Sequence, residues 1–167
     1  MPKPANVVYQ DDLEWLSRPH GQLFDYRRKM LSAAAGARRL GCSLFEIPPG
    51  KCAFPFHFHC RNEEAIYVLE GSGTLRIGAD EIIVRQGAYI SLPVGPATAH
   101  RLVNSSDRPL RYLCFSTMEE PDVVLYPDSN KVGVLAKEGA AGRENRRPTW
   151  VFKQSSEVGY FDEEPDS

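Results

Sequence analysis

From Arg38 to Thr117 the chain consists of short β-branched and aromatic runs, broken every eight to twelve positions by turn residues. That rhythm is the signature of an all-β sandwich or barrel. Strands are predicted near 39–47, 54–59, 64–70, 73–78, 81–85, 88–92, 99–104 and 110–117, with Gly71-Ser72-Gly73 and Gly78-Ala79-Asp80 as tight turns. Eight antiparallel strands of this kind close into a double-sheet jelly roll. A chain of 167 residues is long enough to bury one core without disulfide support.

Two blocks within this region carry chemistry. The first contains His57 and His59, separated by one residue, and then Glu63 and Glu64 at the entrance of the run Ala65-Ile66-Tyr67-Val68-Leu69. On an extended chain alternate side chains share a face, so the two imidazoles project together, about 7 Å apart along the strand. Two such imidazoles can chelate one ion, and a carboxylate from the next strand supplies a third ligand. The second block runs from Gly87 through the Pro93-Val94-Gly95-Pro96 turn to His100, placed as a fourth ligand would be, and on to Asn104. Of the four histidines only His20 lies outside these blocks.

Together the blocks resemble the paired motifs of the cupin superfamily, the first written G-x5-H-x-H-x3or4-E-x6-G and the second G-x5-P-x-G-x2-H-x3-N. The first is matched by His57, His59, Glu64 and Gly71, and the second by Gly87, Pro93, Gly95, His100 and Asn104. Six residues rather than five separate Gly50 from His57, and four rather than two separate Gly95 from His100. Both extra lengths fall in turns or strand entrances, where insertions are tolerated. Glu63 and Glu64 both satisfy the spacing from His59, but the six residues before Gly71 select Glu64, and strand alternation then turns Glu63 away.

The resemblance implies an all-β fold, a double-stranded β-helix or jelly-roll cupin barrel. Residues 1–37 are expected to form an N-terminal arm, 38–120 the barrel, and 121–167 a C-terminal extension that packs on the barrel and ends in an acidic tail. It also implies a metal site of His57, His59, Glu64 and His100 holding one divalent transition metal: Fe, Mn, Ni, Zn or Co. The mixed nitrogen and oxygen donor set suits all five. Asn104, Tyr67 and backbone carbonyls are candidates to orient the imidazoles. Glu63, Tyr112 or a metal-bound hydroxide are candidate bases, and spacing does not separate them.

The formal net charge of −2 provides no electrostatic footprint for nucleic acid or an anionic membrane. No apolar run approaches the roughly 18 residues of a spanning helix, and the opening residues lack a signal-peptide core. A cytoplasmic protein with a small-molecule ligand is expected. Cys42, Cys52, Cys60 and Cys114 show no C-x2-C pair and read as reduced thiols. Asp12 to Leu16 reads as a capped helical turn, with Trp15 and Phe24 anchoring the arm, and residues 122–135 as two apolar runs around a Pro-Asp-Ser-Asn turn. Phe54, Phe56 and Phe58 alternate with the histidines and are expected to face away from the metal, under a terminal segment or the partner of a homodimer.

Three functions follow. The first is a metal-dependent enzyme acting on a small oxygenated molecule, with sugar-phosphate isomerase-like or other Lewis-acid chemistry, or an Fe(II) dioxygenase. The others are a non-catalytic ligand-binding barrel and a barrel merely stapled by its ion. A sugar phosphate would need a cation, and Arg76, Arg101 and Arg111 lie on barrel strands, where an outward solvated face competes with a binding role.

Overall fold

The computed structural model describes residues 4–136 and 150–164. Its strands are β1 (Leu16–Ser17), β2 (Arg27–Lys29), β3 (Leu40–Ile47), β4 (Phe58–His59), β5 (Glu64–Glu70), β6 (Ser72–Ile77), β7 (Asp80–Arg85), β8 (Tyr89–Leu92), β9 (His100–Val103), β10 (Leu110–Thr117), β11 (Asp122–Tyr126), β12 (Lys131–Leu135) and β13 (Trp150–Lys153), with one short helix, α1 (Leu31–Ala34). The end of the acidic tail lies outside the described residues.

One wall of the barrel is a six-stranded sheet in the order β1-β2-β3-β10-β5-β8. The other is built from the orders β13-β12-β11-β4 and β7-β6-β9. These two are joined where His57 and His100 exchange backbone hydrogen bonds, His57 N–H donating to His100 O at 3.1 Å and His100 N–H to His57 O at 2.8 Å. Antiparallel pairing throughout gives the all-β jelly roll. Between the walls lie Phe45, Ile47, Ile66, Val68, Leu75, Leu102, Leu110 and Tyr112, all buried. Phe45 stacks on Tyr112 with ring centroids 5.2 Å apart. Each such side chain contributes about 1.5–3 kcal/mol on leaving water. Strand alternation selects this set: Ile66 and Val68 face in, whereas Tyr67 between them is 39% exposed.

The strand predicted at 54–59 is reduced to Phe58–His59. Pro55 has no N–H to give to a ladder, and the chain bends through it. The bend overturns the expectation that three phenylalanines share an outer face. Phe54 turns inward, 5.1 Å from Tyr26 and 5.6 Å from Phe45, with its ring edge toward His57 at 6.0 Å. Phe56 is buried beneath the Arg76 guanidinium, 3.6 Å from its ring centroid. Phe58 is half-buried opposite Leu125. The chain's own residues thus surround the rings that suggested a partner.

At the N-terminus, the expected helical turn at Asp12 to Leu16 is instead a 3-10 turn at Gln10–Asp12 followed by β1. Trp15 is nevertheless an anchor, with Arg27 and Lys29 over its ring at 4.6 and 4.8 Å. At the other end β11 and β12 form the hairpin predicted around Pro127–Ser129. β11 pairs with β4, placing Val124 opposite His59.

The motif glycine at position 71 has a steric cause. Its φ is +83°, and a Cβ there would lie 2.6 Å from the Pro109 carbonyl oxygen. Gly71→Ala is expected to lower unfolding free energy by about 2 kcal/mol or more, combining left-handed strain with a backbone clash. Urea denaturation checks this, and an unchanged midpoint would contradict the steric account.

Candidate metal centre

Register brings the three motif histidines together. His57 and His100 are directly opposed across the bridge, which puts their rings on one face with centroids 4.6 Å apart. His59, two residues after His57, follows on the same face at 5.3 Å from the His57 ring. Glu64 comes from the facing wall, as the first residue of β5, opposite Ser116 of β10 and Leu92 of β8. Its Oε2 lies 3.5 Å from His59 Nε2 and 3.6 Å from His100 Nε2. Donor atoms of His57, His59 and Glu64 all fall within 4.8 Å of one another, and His100 adjoins this group through Glu64 and the His57 ring. Glu63 is left outside: its N–H donates to Thr117 Oγ1 at 3.0 Å, its carbonyl accepts from Thr117 N–H, and its side chain is solvent-exposed. His20 sits in the N-terminal segment, its ring 6.4 Å from Phe24.

Every imidazole is held by its Nδ1. His57 Nδ1 lies 2.9 Å from Pro55 O, His100 Nδ1 3.1 Å from Thr98 O, and His59 Nδ1 2.6 Å from Asp122 Oδ2. Carbonyls and carboxylates only accept, so each Nδ1 carries a proton and Nε2 is the ring atom left to ligate. The donor chemistry fits a divalent transition metal: imidazole nitrogens beside a largely buried carboxyl group.

The partner of His59 is a residue that sequence reasoning missed. Asp122 is fully buried, and besides His59 it accepts from Asn62 Nδ2 and from Arg61 N–H, both at 2.9 Å. Burial pushes its carboxyl up, but the hydrogen bonds from His59 and Asn62 outweigh this and hold it below the usual carboxylate range. Asn62 also spans from Glu119 O to Glu119 N–H, which ties the β4–β5 connector to the segment that leads into β11. The candidates named from sequence act elsewhere. Asn104 is consumed by Ile47 O, Arg108 O and Ser106. Tyr67 faces outward, and Tyr112 is buried against Phe45, with burial raising its hydroxyl pKa well above the ordinary value. Of the three classes proposed, only the backbone carbonyls orient imidazoles.

Burial, assisted by the neighbouring imidazoles His100 and His59, lowers the His57 pKa to about 3. Burial likewise lowers that of His100 to about 4, whereas Glu64 is raised because its carboxylate is desolvated. Both histidines are therefore neutral at pH 7, in the ligating form. Between about pH 6.5 and these lowered values the unfolded chain binds protons that the folded chain refuses, so stability falls with falling pH. Glu64 opposes this, since its folded form holds a proton more tightly than its unfolded form. Two histidines against one carboxyl leave a net loss. The denaturant midpoint of chelator-treated protein is accordingly expected to drop from pH 7 to pH 5, and a flat or rising profile would contradict the burial of these rings.

The arginines on the barrel strands face outward. Arg76 pairs with Asp128 at 2.7 Å and Arg101 approaches the same carboxylate at 4.0 Å, while Arg111 binds Glu46 and Glu70. On the histidine face Tyr126 stacks on His57 at 6.1 Å, with Lys131 Nζ 5.3 Å from the tyrosine ring centroid. All four cysteines are free thiols. Cys114 faces inward opposite Ile66, and Cys42 pairs with Phe115 on the outer face.

The chain was compared with known proteins. Residues 43–116 match the model of the cupin domain. A putative sugar phosphate isomerase from Acidithiobacillus ferrooxidans is similar in structure, with a TM-score of 0.73 and 29% identity, over 78% of this chain and 86% of that one. A sugar phosphate isomerase from a cupin superfamily, from Silicibacter pomeroyi, shares the fold with a TM-score of 0.76 at 20% identity, over 90% of this chain and 94% of that one. Quercetin 2,3-dioxygenase of Bacillus subtilis is 30% identical over 96 residues, 55% of this chain and 28% of its own length. An uncharacterized protein of Methanocaldococcus jannaschii is 37% identical over 60 residues, 36% of this chain. The chain spans 46% and 28% of the lengths of these two curated relatives. No helix among the described residues is long and apolar enough to cross a membrane. The motif residues and the two-walled barrel agree with the matched domain: residues 43–116 have the sequence pattern and the fold of a cupin domain.

Proposed function

We propose that His57, His59, Glu64 and His100 hold one divalent transition metal, and that the protein is a metal-dependent enzyme acting on a small oxygenated molecule. The observation that carries this reading is the tethering of all three Nδ1 atoms, which leaves the Nε2 atoms as donors grouped around the Glu64 carboxyl. A purely structural ion closes its sphere with four protein ligands in a tetrahedron, and Fe, Mn, Ni or Co favours more positions than that. The bound metal would supply Lewis-acid polarisation of a substrate oxygen. The chain's own residues supply the rest. Asp122 fixes the His59 ring, Pro55 and Thr98 fix the other two, and the apolar inner wall of Ile66, Val68 and Leu102 limits water at the site.

Isomerase-like chemistry on a sugar phosphate is the reading favoured by the likeness to the Acidithiobacillus ferrooxidans protein, which extends over most of both chains. The dioxygenase reading draws on the Bacillus subtilis relative, whose match reaches little more than a quarter of that protein. The test is elemental analysis of protein purified without chelator or metal-affinity resin, followed by aldose–ketose interconversion assays on a panel of sugar phosphates. Near-stoichiometric Mn, Zn, Ni or Co with turnover supports the isomerase, and iron with oxygen uptake on diols or flavonols supports the dioxygenase. Metal-free protein whose reconstitution fails would refute both.

A further inference from the structure

We propose that Arg28 anchors an oxyanion inside the barrel, a carboxylate or phosphate carried by the same small molecule that the metal site receives. The proposal rests on the reading above and adds a substrate class to it. β2 pairs with β3 so that Arg28 lies directly opposite Phe45. Opposed residues of an antiparallel pair share a face, and Phe45 belongs to the core. Arg28 therefore faces inward, while its neighbours face out and are engaged. Arg27 pairs with Glu46 at 2.7 Å, and Lys29 donates to Gln10 O at 2.7 Å beneath Trp15.

Arg28 has no such partner. Its Nε is buried without an acceptor, and among the described residues no carboxylate pairs with its guanidinium. The outward-facing arginines have carboxylates beside them: Arg76 pairs with Asp128, Arg111 with Glu46 and Glu70 and Arg61 with Glu119, while Arg101, whose Nε is also buried without an acceptor, lies 4.0 Å from Asp128. A half-buried cation without a counter-charge gives up part of its hydration uncompensated, so a position of this kind is suited to a partner that arrives with the ligand. The planar five-donor fork matches carboxylate and phosphate.

Its place on the inner wall connects it to the metal centre. Cys114 stands opposite Ile66, two residues along β10 from Ser116, which opposes Glu64. Arg28 stands opposite Phe45, Phe45 stands opposite Tyr112 of β10, and Cys114 is the next inward residue along β10. The wall thus runs from the carboxylate of the metal site, past Cys114, to an uncompensated cation. A molecule with ligating oxygens at one end and an anionic group at the other would span it.

The test is calorimetric titration of the full chain with inorganic phosphate and, separately, acetate at constant ionic strength. Both metal-loaded protein and protein treated with chelator and dialysed are used. Saturable one-to-one binding of at least one anion to the metal-free protein is expected. Arg28→Gln should weaken it at least about tenfold, Arg28→Lys should restore part of it, and Arg85→Gln, on the outer strand β7, should leave it unchanged. Binding of phosphate alone assigns a phosphorylated ligand, and binding of acetate as well assigns a carboxylate. The inference is overturned if neither anion binds, if Arg28→Gln binds as the parent does, or if the loss appears in Lys131→Gln instead. Anion binding that persists in protein unable to take up metal would sink the metal reading and leave this one standing. Metal uptake without anion binding would do the reverse.

Discussion

Glu64→Gln is expected to purify essentially free of metal and to lose affinity on reconstitution by more than a hundredfold, while remaining folded. Glu64 is the one carboxylate in the cluster, and its amide replacement removes the charge that offsets a dication without changing shape. Burial already pushes the Glu64 carboxyl toward its neutral form, so a neutral amide relieves a desolvation cost and should leave stability equal or slightly higher. A metal needs the ionised carboxyl, so uptake weakens as pH falls. His59→Ala should likewise lose the metal. Glu63→Gln and His20→Ala should keep it, because Glu63 points to solvent and His20 lies by Phe24. Metal per chain by elemental analysis, with competition against a chromogenic chelator, reads all four variants. Equal retention across them would remove the assignment.

Asp122→Asn is expected to weaken metal binding about 10–100-fold, the usual effect of removing a carboxylate behind a ligating histidine. A carboxylate accepts from His59, Asn62 and the Arg61 amide together. An amide in the same place presents an NH2 group to one of those donors, leaving a buried donor unsatisfied at a cost of about 1–3 kcal/mol. The variant should therefore show both a lower urea midpoint without metal and a smaller shift on adding it. The second effect separates positioning from packing. A variant that is merely less stable, with an unaltered chelator-competition constant, would show that Asp122 holds the connector and does not tune the His59 ring.

The clustering of the four residues proposed as metal ligands was readable because their placement depends on short-range geometry. His57 and His59 share a face through the two-residue period of an extended chain, and Glu64 and His100 begin strands at motif spacings. The strands themselves were legible for the same reason, since turn residues punctuate them and inward positions alternate with outward ones. Position 54 failed because Pro55 interrupts the ladder, and alternation cannot be carried across a bend. Asp122 was invisible because 63 residues separate it from His59 and no motif links them.

The sequence by itself determined the strand rhythm, which side chains cluster as the candidate site and the tight turn at Gly71, all consequences of local backbone sterics and side-chain period. Only the tertiary structure decided which groups hold the imidazoles, which arginines are compensated, and that Phe56 is covered by Arg76. Those outcomes depend on which strands become neighbours. Pairing of β4 with β11 delivers Asp122 to His59, and pairing of β2 with β3 turns Arg28 inward, where no carboxylate among the described residues meets it.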